Sequence, residues 1–389
     1  MSDRRADLEI SVMMASVGYY VASMGAVVAI LAHEFSVPPE SLSWVGSTYG
    51  AGLLVVAAAG PWLLRRGPRP PLVGSTIAFL VGTLLVALPA NLVLIFVGTA
   101  LQSIAGSVMI LLAPVILATD TDVRLTRANA IASLVGITAS PFIGVIAATG
   151  ISGRLGVLVL VPLLGWLLWM ILAPGSSHAE PETVAAPAAT EPAEPADRAD
   201  RARPGTVARR WVAIVMAVSV EFCYVVWGVT RLQATGIPTS FAAILGITFS
   251  VGMTTGRFAG SWIIRHLPAV PFGASIAAAG TLLVAFTNTW PTVAAGLVIA
   301  GIGVATLYPV TLTQLMSVPG LAQSHGASLG ALASGTAIVV APIALASLSG
   351  FIDLRLAFLI PIPLLVVLVV LHGRPARTPR EPAFFEAEA

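Results

Sequence analysis

The chain has 389 residues, of which 57% are apolar and only 10% are charged, and its formal net charge is +2. A water-soluble protein of this length cannot hide so large an apolar fraction, because much of its own surface faces water. The composition therefore excludes an ordinary soluble domain and predicts a protein whose solvent is largely lipid.

Apolar runs long enough to cross a bilayer recur along almost the whole chain and predict an all-α polytopic membrane protein with twelve transmembrane helices. The first run is longer than the apolar part of a signal peptide and has no small-residue cleavage pattern after it, so we expect it to be retained. The predicted helices lie near residues 9–32, 41–64, 71–90, 92–117, 128–150, 155–174, 211–232, 240–264, 271–288, 292–316, 326–349 and 354–371.

Residues 176–210 interrupt this pattern. The stretch is rich in Ala, Pro and Glu, has no apolar period and ends in a basic cluster. Such a composition cannot bury a core and is typical of a flexible linker. The sequence therefore predicts an N-terminal six-helix half at 1–175, the linker at 176–210, a second six-helix half at 211–372 and a tail at 373–389.

The basic residues predict how the chain crosses the membrane. All 20 are Arg, and 16 of them fall in the termini, the linker and the loops that share a side with these segments. Three, Arg154, Arg231 and Arg355, fall on the other side, and Arg257 lies inside a predicted helix. Because basic residues are enriched in cytoplasmic loops, we expect both termini and the linker to be cytoplasmic.

The two halves repeat one another at an offset of about 200 residues. TYGAGLLVVAAAGPWLLRRGP (48–68) aligns without gaps on TFSVGMTTGRFAGSWIIRHLP (248–268), and ISGRLGVLVLVPLL (151–164) matches IDLRLAFLIPIPLL (352–365). Parallel repeats joined by a central linker are a transporter architecture. The repeat therefore predicts transport by alternating access, in which the two halves rock against each other.

Two stretches carry a resemblance to a known family. GPWLLRRGPRPPL (60–72) resembles the loop signature between helices 2 and 3 of the major facilitator superfamily. The residues that match this signature are Gly60, Arg65, Gly67, Arg69 and Leu72, and the second copy of the repeat contributes Gly260 and Arg265. The chain departs from this signature at Leu64, where the family usually has an acidic residue. It also departs at Thr99 from the helix-4 pattern of the drug/proton antiporters, which usually have an arginine there.

GITASPFIG (136–144) resembles the helix-5 motif of antiporters in the same superfamily. The matching residues are Gly136, Pro141 and Gly144, and Ser140 replaces a glycine. The resemblance implies the twelve-helix fold of the superfamily and assigns the residues of both signatures a role in conformational change.

Residues that differ between the copies are better candidates for substrate or ion chemistry than residues shared by both. At the repeat offset, Val21 corresponds to Glu221 and Ala57 to Arg257. A charge at membrane depth costs at least ~2.5 kcal/mol and normally faces a cavity or a partner. We expect Glu221 and Arg257 to interact directly or through water in at least one state, either for proton coupling or substrate contact or as a static ion pair.

Polar and aromatic residues at membrane depth are candidates for the lining of a substrate cavity. They are Tyr20, Ser23, Gln102, Ser107, Tyr224, Ser250, Thr254, Thr306, Tyr308 and Thr311. The alternative for each is a hydrogen bond to its own helix. Trp62 and Trp262, near helix ends, are predicted to be interfacial anchors.

The sequence contains no pattern of metal-binding, cofactor-binding or nucleophilic residues that would predict an enzyme. The five histidines lie outside the helix centres, and Cys223 is the only cysteine.

The expected partners are membrane lipid, a small-molecule substrate and a proton as coupling ion, with no nucleic acid and no cofactor. We expect a monomer in a bacterial plasma membrane. The helix-5 motif favours proton-coupled efflux; proton-coupled uptake, a channel and a non-transporting receptor are the alternatives.

Overall fold

The computed structural model describes residues 2–117, 121–173 and 203–373. The predicted linker residues 176–202 and the tail from residue 374 lie outside the described residues. In the described part, the first half contains α1 (Ser2–Phe35), α2 (Trp44–Leu63), α3 (Arg69–Ala87), α4 (Leu92–Ile116), α5 (Thr121–Ala148) and α6 (Leu160–Leu172). The second half contains α7 (Pro204–Gln233), α8 (Thr239–Leu245), α9 (Ile247–His266), α10 (Ala269–Phe286), α11 (Trp290–Val304), α12 (Leu307–Met316), α13 (Gln323–Ser349), α14 (Leu354–Ala357) and α15 (Pro361–His372).

Twelve segments of the described chain are long and apolar enough to cross a membrane, which confirms the predicted number. The eighth span consists of α8 and α9, the tenth of α11 and α12, and the twelfth of α14 and α15, whereas the sequence predicted each as one continuous helix. In the tenth span the interruption falls at residues 305–306, just before Pro309. Because proline has no N–H, it cannot bond the carbonyl four residues earlier, and its ring crowds that carbonyl.

Helices α6 and α15 end, and helices α1 and α7 begin, on the same side of the bundle. We call this the terminal side, and the side with the loops at 36–43 and 234–238 the distal side. On the terminal side, Arg209 Nε donates to the carbonyl of Leu371 at 2.5 Å, and Arg5 donates to Met170. A cation is favourable there because the last carbonyls of a helix lack partners and carry partial negative charge.

The two halves use the same close helix contacts. A Cβ added at Gly82 in α3 would lie 2.6 Å from the carbonyl oxygen of Gly98 in α4. A Cβ at Gly280 in α10 would lie 2.6 Å from the carbonyl oxygen of Gly296 in α11. Lipid gives helices little hydrophobic reason to associate, so such backbone approach supplies the packing. The repeat seen in the sequence is therefore also a repeat of helix packing.

On the distal side of the first half, a buried arginine closes the end of the third helix. Arg154, only 5% exposed, donates from Nη1 to the carbonyls of Val86 in the last turn of α3, at 3.1 Å, and of Pro89 just after it, at 2.8 Å. Its Nε also pairs with Glu34 at 2.6 Å. This one side chain thereby ties α1, α3 and the start of the sixth span together.

The second half closes the equivalent end, that of α10, with an arginine from a different helix. Arg231, the fully buried arginine near the end of α7, donates from Nε to the carbonyl of Val284 at 3.0 Å and from Nη2 to Thr287. Arg355, which corresponds to Arg154 in the repeat, instead pairs with its neighbour Asp353 at 3.1 Å. Hydrogen bonds from Arg355 lower the pKa of the Asp353 carboxyl, which lies in the loop before the last span.

Arg154→Ala and Arg231→Ala are each expected to destabilise the protein by about 1–3 kcal/mol, because each leaves buried carbonyls without a charged donor. Thermal unfolding of the detergent-purified variants measures the loss. Arg355→Ala is the matched control, since this arginine occupies the repeat position of Arg154 without contacting α10 carbonyls, and its unfolding temperature should stay near wild type. Equal shifts in all three variants would contradict the assignment.

Candidate functional site

The two halves meet along three pairs of helices, α1 with α7, α2 with α13 and α5 with α8, which we call the inter-half seam. A glycine lies at each pair. An added Cβ at Gly25 would be 2.5 Å from the carbonyl oxygen of Val225; at Gly50, 2.6 Å from that of Gly335; at Gly144, 2.6 Å from that of Ser240. All three contacts lie in the distal part of the bundle. The two halves are therefore in close backbone contact on that side.

Two hydroxyl groups add hydrogen bonds across the seam. Ser47 Oγ in α2 donates to the carbonyl of Val339 in α13 at 3.0 Å. Ser140 Oγ in α5 donates to the carbonyl of Ala243 in α8 at 2.7 Å. Because both serines are buried, these bonds form away from bulk water and add direction to the glycine contacts.

The helix-5 motif contacts both halves. Gly136 packs against Gly18 in α1 of the same half, where an added Cβ would lie 3.0 Å from a carbonyl oxygen. Ser140 and Gly144, one and two turns further on, contact α8 of the other half. Pro141 lies inside α5, as predicted. The motif thus places one face of α5 at the seam, and its role in conformational change remains a prediction.

The loop signature lies on the terminal side. Gly67 has a φ of +81° and ends a short 3-10 helix, a conformation that favours glycine. Arg69 donates to the carbonyl of Ile171 at the end of α6, at 3.2 Å. Arg65 and Arg265 are exposed.

The two glycines of the repeated signature pack alike. Gly60 faces a Leu111 side chain in α4, and Gly260 faces Thr306, which follows α11. Each glycine therefore contacts the fourth span of its own half.

Glu221 lies near the middle of α7 and is partly buried. It interacts electrostatically with Arg257 and Tyr308 of its own half and with Tyr49 of the other half. Within the described part of the chain, Glu221 has no salt-bridge partner within 4.0 Å, and no group donates a hydrogen bond to its carboxylate. The structure thus contains an intramembrane carboxyl group between the halves that the described side chains leave unpaired.

Arg257 is directed to the other half. Its Nη1 donates to Ser133 Oγ in α5 at 3.2 Å, and no salt bridge to Glu221 forms within 4.0 Å. The structure therefore does not contain the static ion pair that the sequence left open. The expected approach of the two charges in another state stays a prediction.

Three of the predicted cavity residues form hydrogen bonds within a single half. The Tyr20 hydroxyl lies 2.7 Å from Ser103 Oγ, and Gln102 Nε2 donates to Thr83 Oγ1 at 3.1 Å. The Tyr224 hydroxyl lies 2.5 Å from Thr281 Oγ1. All six residues are buried, so these side chains stabilise the interior of each half in this state.

Three other candidates bond to their own helices, as the alternative interpretation stated. Ser23, Ser107 and Thr311 donate to carbonyls three or four residues earlier, at 2.7, 2.7 and 2.8 Å. Thr306 is buried. The candidates that stay partly accessible are Ser250, Thr254 and Tyr308.

Sequence reasoning missed two residues of the first half: Tyr49, which interacts electrostatically with Glu221, and Ser133, which accepts a hydrogen bond from Arg257. Tyr49 is buried and spans the halves, with its ring 6.3 Å from that of Phe222 and 5.8 Å from that of Tyr20. One signal was available for Tyr49, because its repeat partner Phe249 is also aromatic. Ser133 has no comparable signal.

The described residues contain no group of three or more His, Cys, Asp or Glu side chains able to hold a metal ion. The sequence profile of the Major Facilitator Superfamily matches residues 8–271, well over half of the chain. The chain belongs to the major facilitator superfamily. Members of this family are integral membrane transporters of small molecules, so the protein is a multi-pass membrane protein of the transporter class.

Solved structures of transporters share the fold over nearly the whole length. A variant of the peptide transporter POT has a TM-score of 0.72 at 15% identity, covering 95% of this chain and 94% of that chain. An inward-facing, unoccupied bacterial homologue of the lysosomal transporter Spinster has a TM-score of 0.70 at 13% identity, covering 95% and 96%. The nucleoside transporter NupG has a TM-score of 0.64 at 13% identity, covering 96% and 99%. A sequence search of curated proteins found no match.

Gly50→Ala is expected to open the distal side, because the new Cβ would meet backbone atoms of α13 at 2.6 Å. Spin labels at Ser41 and Phe351, on distal loops of opposite halves, report the change by pulsed electron resonance. The distance distribution should gain a longer component. Gly165→Ala is the control, because an added Cβ there meets nothing within 4 Å. Identical distributions in both variants would show that the seam tolerates the methyl group.

Proposed function

We propose that the protein exports a small molecule in exchange for protons, with Glu221 as the residue that carries the proton. The observation that carries the proposal is the unpaired intramembrane carboxyl group between the two halves. An ionisable group at this depth marks an ion or substrate pathway far more often than it serves packing alone. A carboxyl group can load and release a proton when its surroundings differ between two conformations.

The neighbours of Glu221 support a state-dependent environment. Tyr49 belongs to the first half, so a rocking motion changes its distance to Glu221. Arg257 belongs to the second half but bonds Ser133 of the first, so the same motion breaks or strains that bond. Release from Ser133 would leave the guanidinium free to approach Glu221. Movement between halves and ionisation of Glu221 are thereby coupled.

Export is supported by the helix-5 motif, which resembles that of antiporters. Ser140 and Gly144 of this motif lie at the seam, where opening and closing take place. Proton-driven uptake uses the same residues with the opposite direction of substrate movement, and the flux experiment below separates the two.

We further propose that both termini and the linker are cytoplasmic and that the protein works as a monomer in a bacterial plasma membrane. The arginine bias toward the terminal side supports this orientation. In that orientation the closed distal side faces out, as expected of an inward-facing state.

Glu221→Gln is expected to reduce proton-driven transport strongly while leaving substrate binding measurable, because the amide cannot release a proton at any relevant pH. The substrate is first selected by a thermal-shift screen on purified protein. Flux is then measured in proteoliposomes under a pH gradient of each sign. Gradient-driven flux should fall at least about tenfold, equivalent to ~1.4 kcal/mol in the transport barrier.

Asp353→Asn is the control, since it removes an exposed carboxylate on the distal side. Its gradient-driven flux should equal that of wild type. Unchanged flux and unchanged pH dependence in Glu221→Gln would remove Glu221 from the coupling mechanism. Substrate movement with the proton rather than against it would replace export by uptake, and binding without any flux would indicate a receptor.

A further inference from the structure

A cavity that is open to solvent lies between the halves on the distal side, away from Glu221. It has a volume of about 690 Å³, within the range of small-molecule sites. The first half contributes the end of α1, with His33 and Glu34, and the loop around Ser152. The second half contributes residues 236–240. Both halves are needed to form its walls, so it exists in this form only while the distal side is closed.

The cavity presents a carboxylate. Glu34 pairs with Arg154 Nε at 2.6 Å and accepts a hydrogen bond from the Ser152 hydroxyl. The Arg154 side chain is 6% exposed, whereas that of Glu34 is 22% exposed. A molecule in the cavity therefore meets the carboxylate first, with the guanidinium behind it. The lone pairs of Glu34 that these two donors do not use remain available to a ligand.

The remaining walls combine apolar surface with hydroxyl groups. Ile30, Ile151 and Ile237 supply the apolar part. Thr239 Oγ1 accepts a hydrogen bond from Gln233 Nε2 at 2.9 Å, which leaves its own O–H for a further acceptor. Polar groups placed beside apolar surface suit the binding of an amphipathic molecule.

We propose that this cavity binds a small amphipathic organic cation, with its protonated amine on Glu34 and its apolar body against the isoleucines. Because such a ligand contacts both halves, it binds the distally closed state better than the open one and shifts the equilibrium toward closure. The cavity is thus an inhibitory site on the distal side of the bundle. The inference depends on neither the direction of transport nor the role of Glu221.

Benzylamine is a suitable probe, because it is protonated near neutral pH, and benzyl alcohol is the uncharged control of the same shape. Cys223 is fully buried, so a cysteine introduced elsewhere reacts selectively with N-ethylmaleimide. Thr239→Cys reports occupancy of the cavity, and Val339→Cys reports opening of the seam, since Val339 lies opposite Ser47. Phe351→Cys, on an 89% exposed residue outside the cavity, reports nonspecific effects.

Benzylamine should slow the reaction of both Thr239→Cys and Val339→Cys and leave Phe351→Cys unchanged. Benzyl alcohol should be at least about tenfold less potent, as expected for the loss of one charged contact. Glu34→Gln should remove this difference, with thermal unfolding used to confirm that the variant is folded. Ile151→Trp is the second variant, because it fills the cavity from an exposed position and leaves the Glu34–Arg154 pair in place.

Equal potency of benzylamine and benzyl alcohol would overturn recognition by the carboxylate. Protection of Thr239→Cys without slowing of Val339→Cys would overturn the effect on the seam. Protection that survives in Ile151→Trp would place the probe outside the cavity.

Discussion

Close backbone approach at glycine is the interaction on which the rest of this structure depends. Within the halves, Gly82 and Gly280 bring adjacent helices together at equivalent positions, and across the halves Gly50 and Gly144 do the same. Lipid offers no hydrophobic gain for helix association, so dispersion contacts between closely spaced backbones must hold the bundle together. The same contacts contain no large interlocking side chains at the glycine positions, which allows one half to separate from the other.

The two halves resemble each other more closely in the packing of their backbones than in the identity of their side chains. The ends of α3 and α10 are both closed by a buried guanidinium, yet Arg154 reaches its carbonyls from the sixth span and Arg231 from the seventh. What is preserved is the physical requirement that helix-end carbonyls in a low-dielectric medium find donors. This leaves each half free to differ in chemistry. Glu221 and Arg257 belong to the second half, while Tyr49 and Ser133, which interact with them, belong to the first.

The polar residues show which parts of the candidate site could be predicted from the sequence. Comparison of the two copies selected Glu221 and Arg257, because a charge present in one copy only is not required by the shared scaffold. Selection by depth alone was less successful, since Ser23, Ser107 and Thr311 bond to their own helices. A hydroxyl at membrane depth has a carbonyl within reach on its own helix and needs no cavity. Which polar groups face the plane between the halves depends on helix rotation, which a run of apolar residues does not encode.

The sequence by itself determined the twelve spans, the two-fold repeat and the membership of a transporter class, because span length, apolar composition and the repeat offset are properties of the chain alone. Only the tertiary structure decided which residues meet across the halves. It brought Tyr49 within electrostatic range of Glu221, directed Arg257 to Ser133 and placed Glu34 in the lining of a cavity with residues 236–240. These partners are more than a hundred residues apart in the chain. Their contact depends on how far two packed bodies have rocked, a variable that one amino-acid sequence allows to take more than one value.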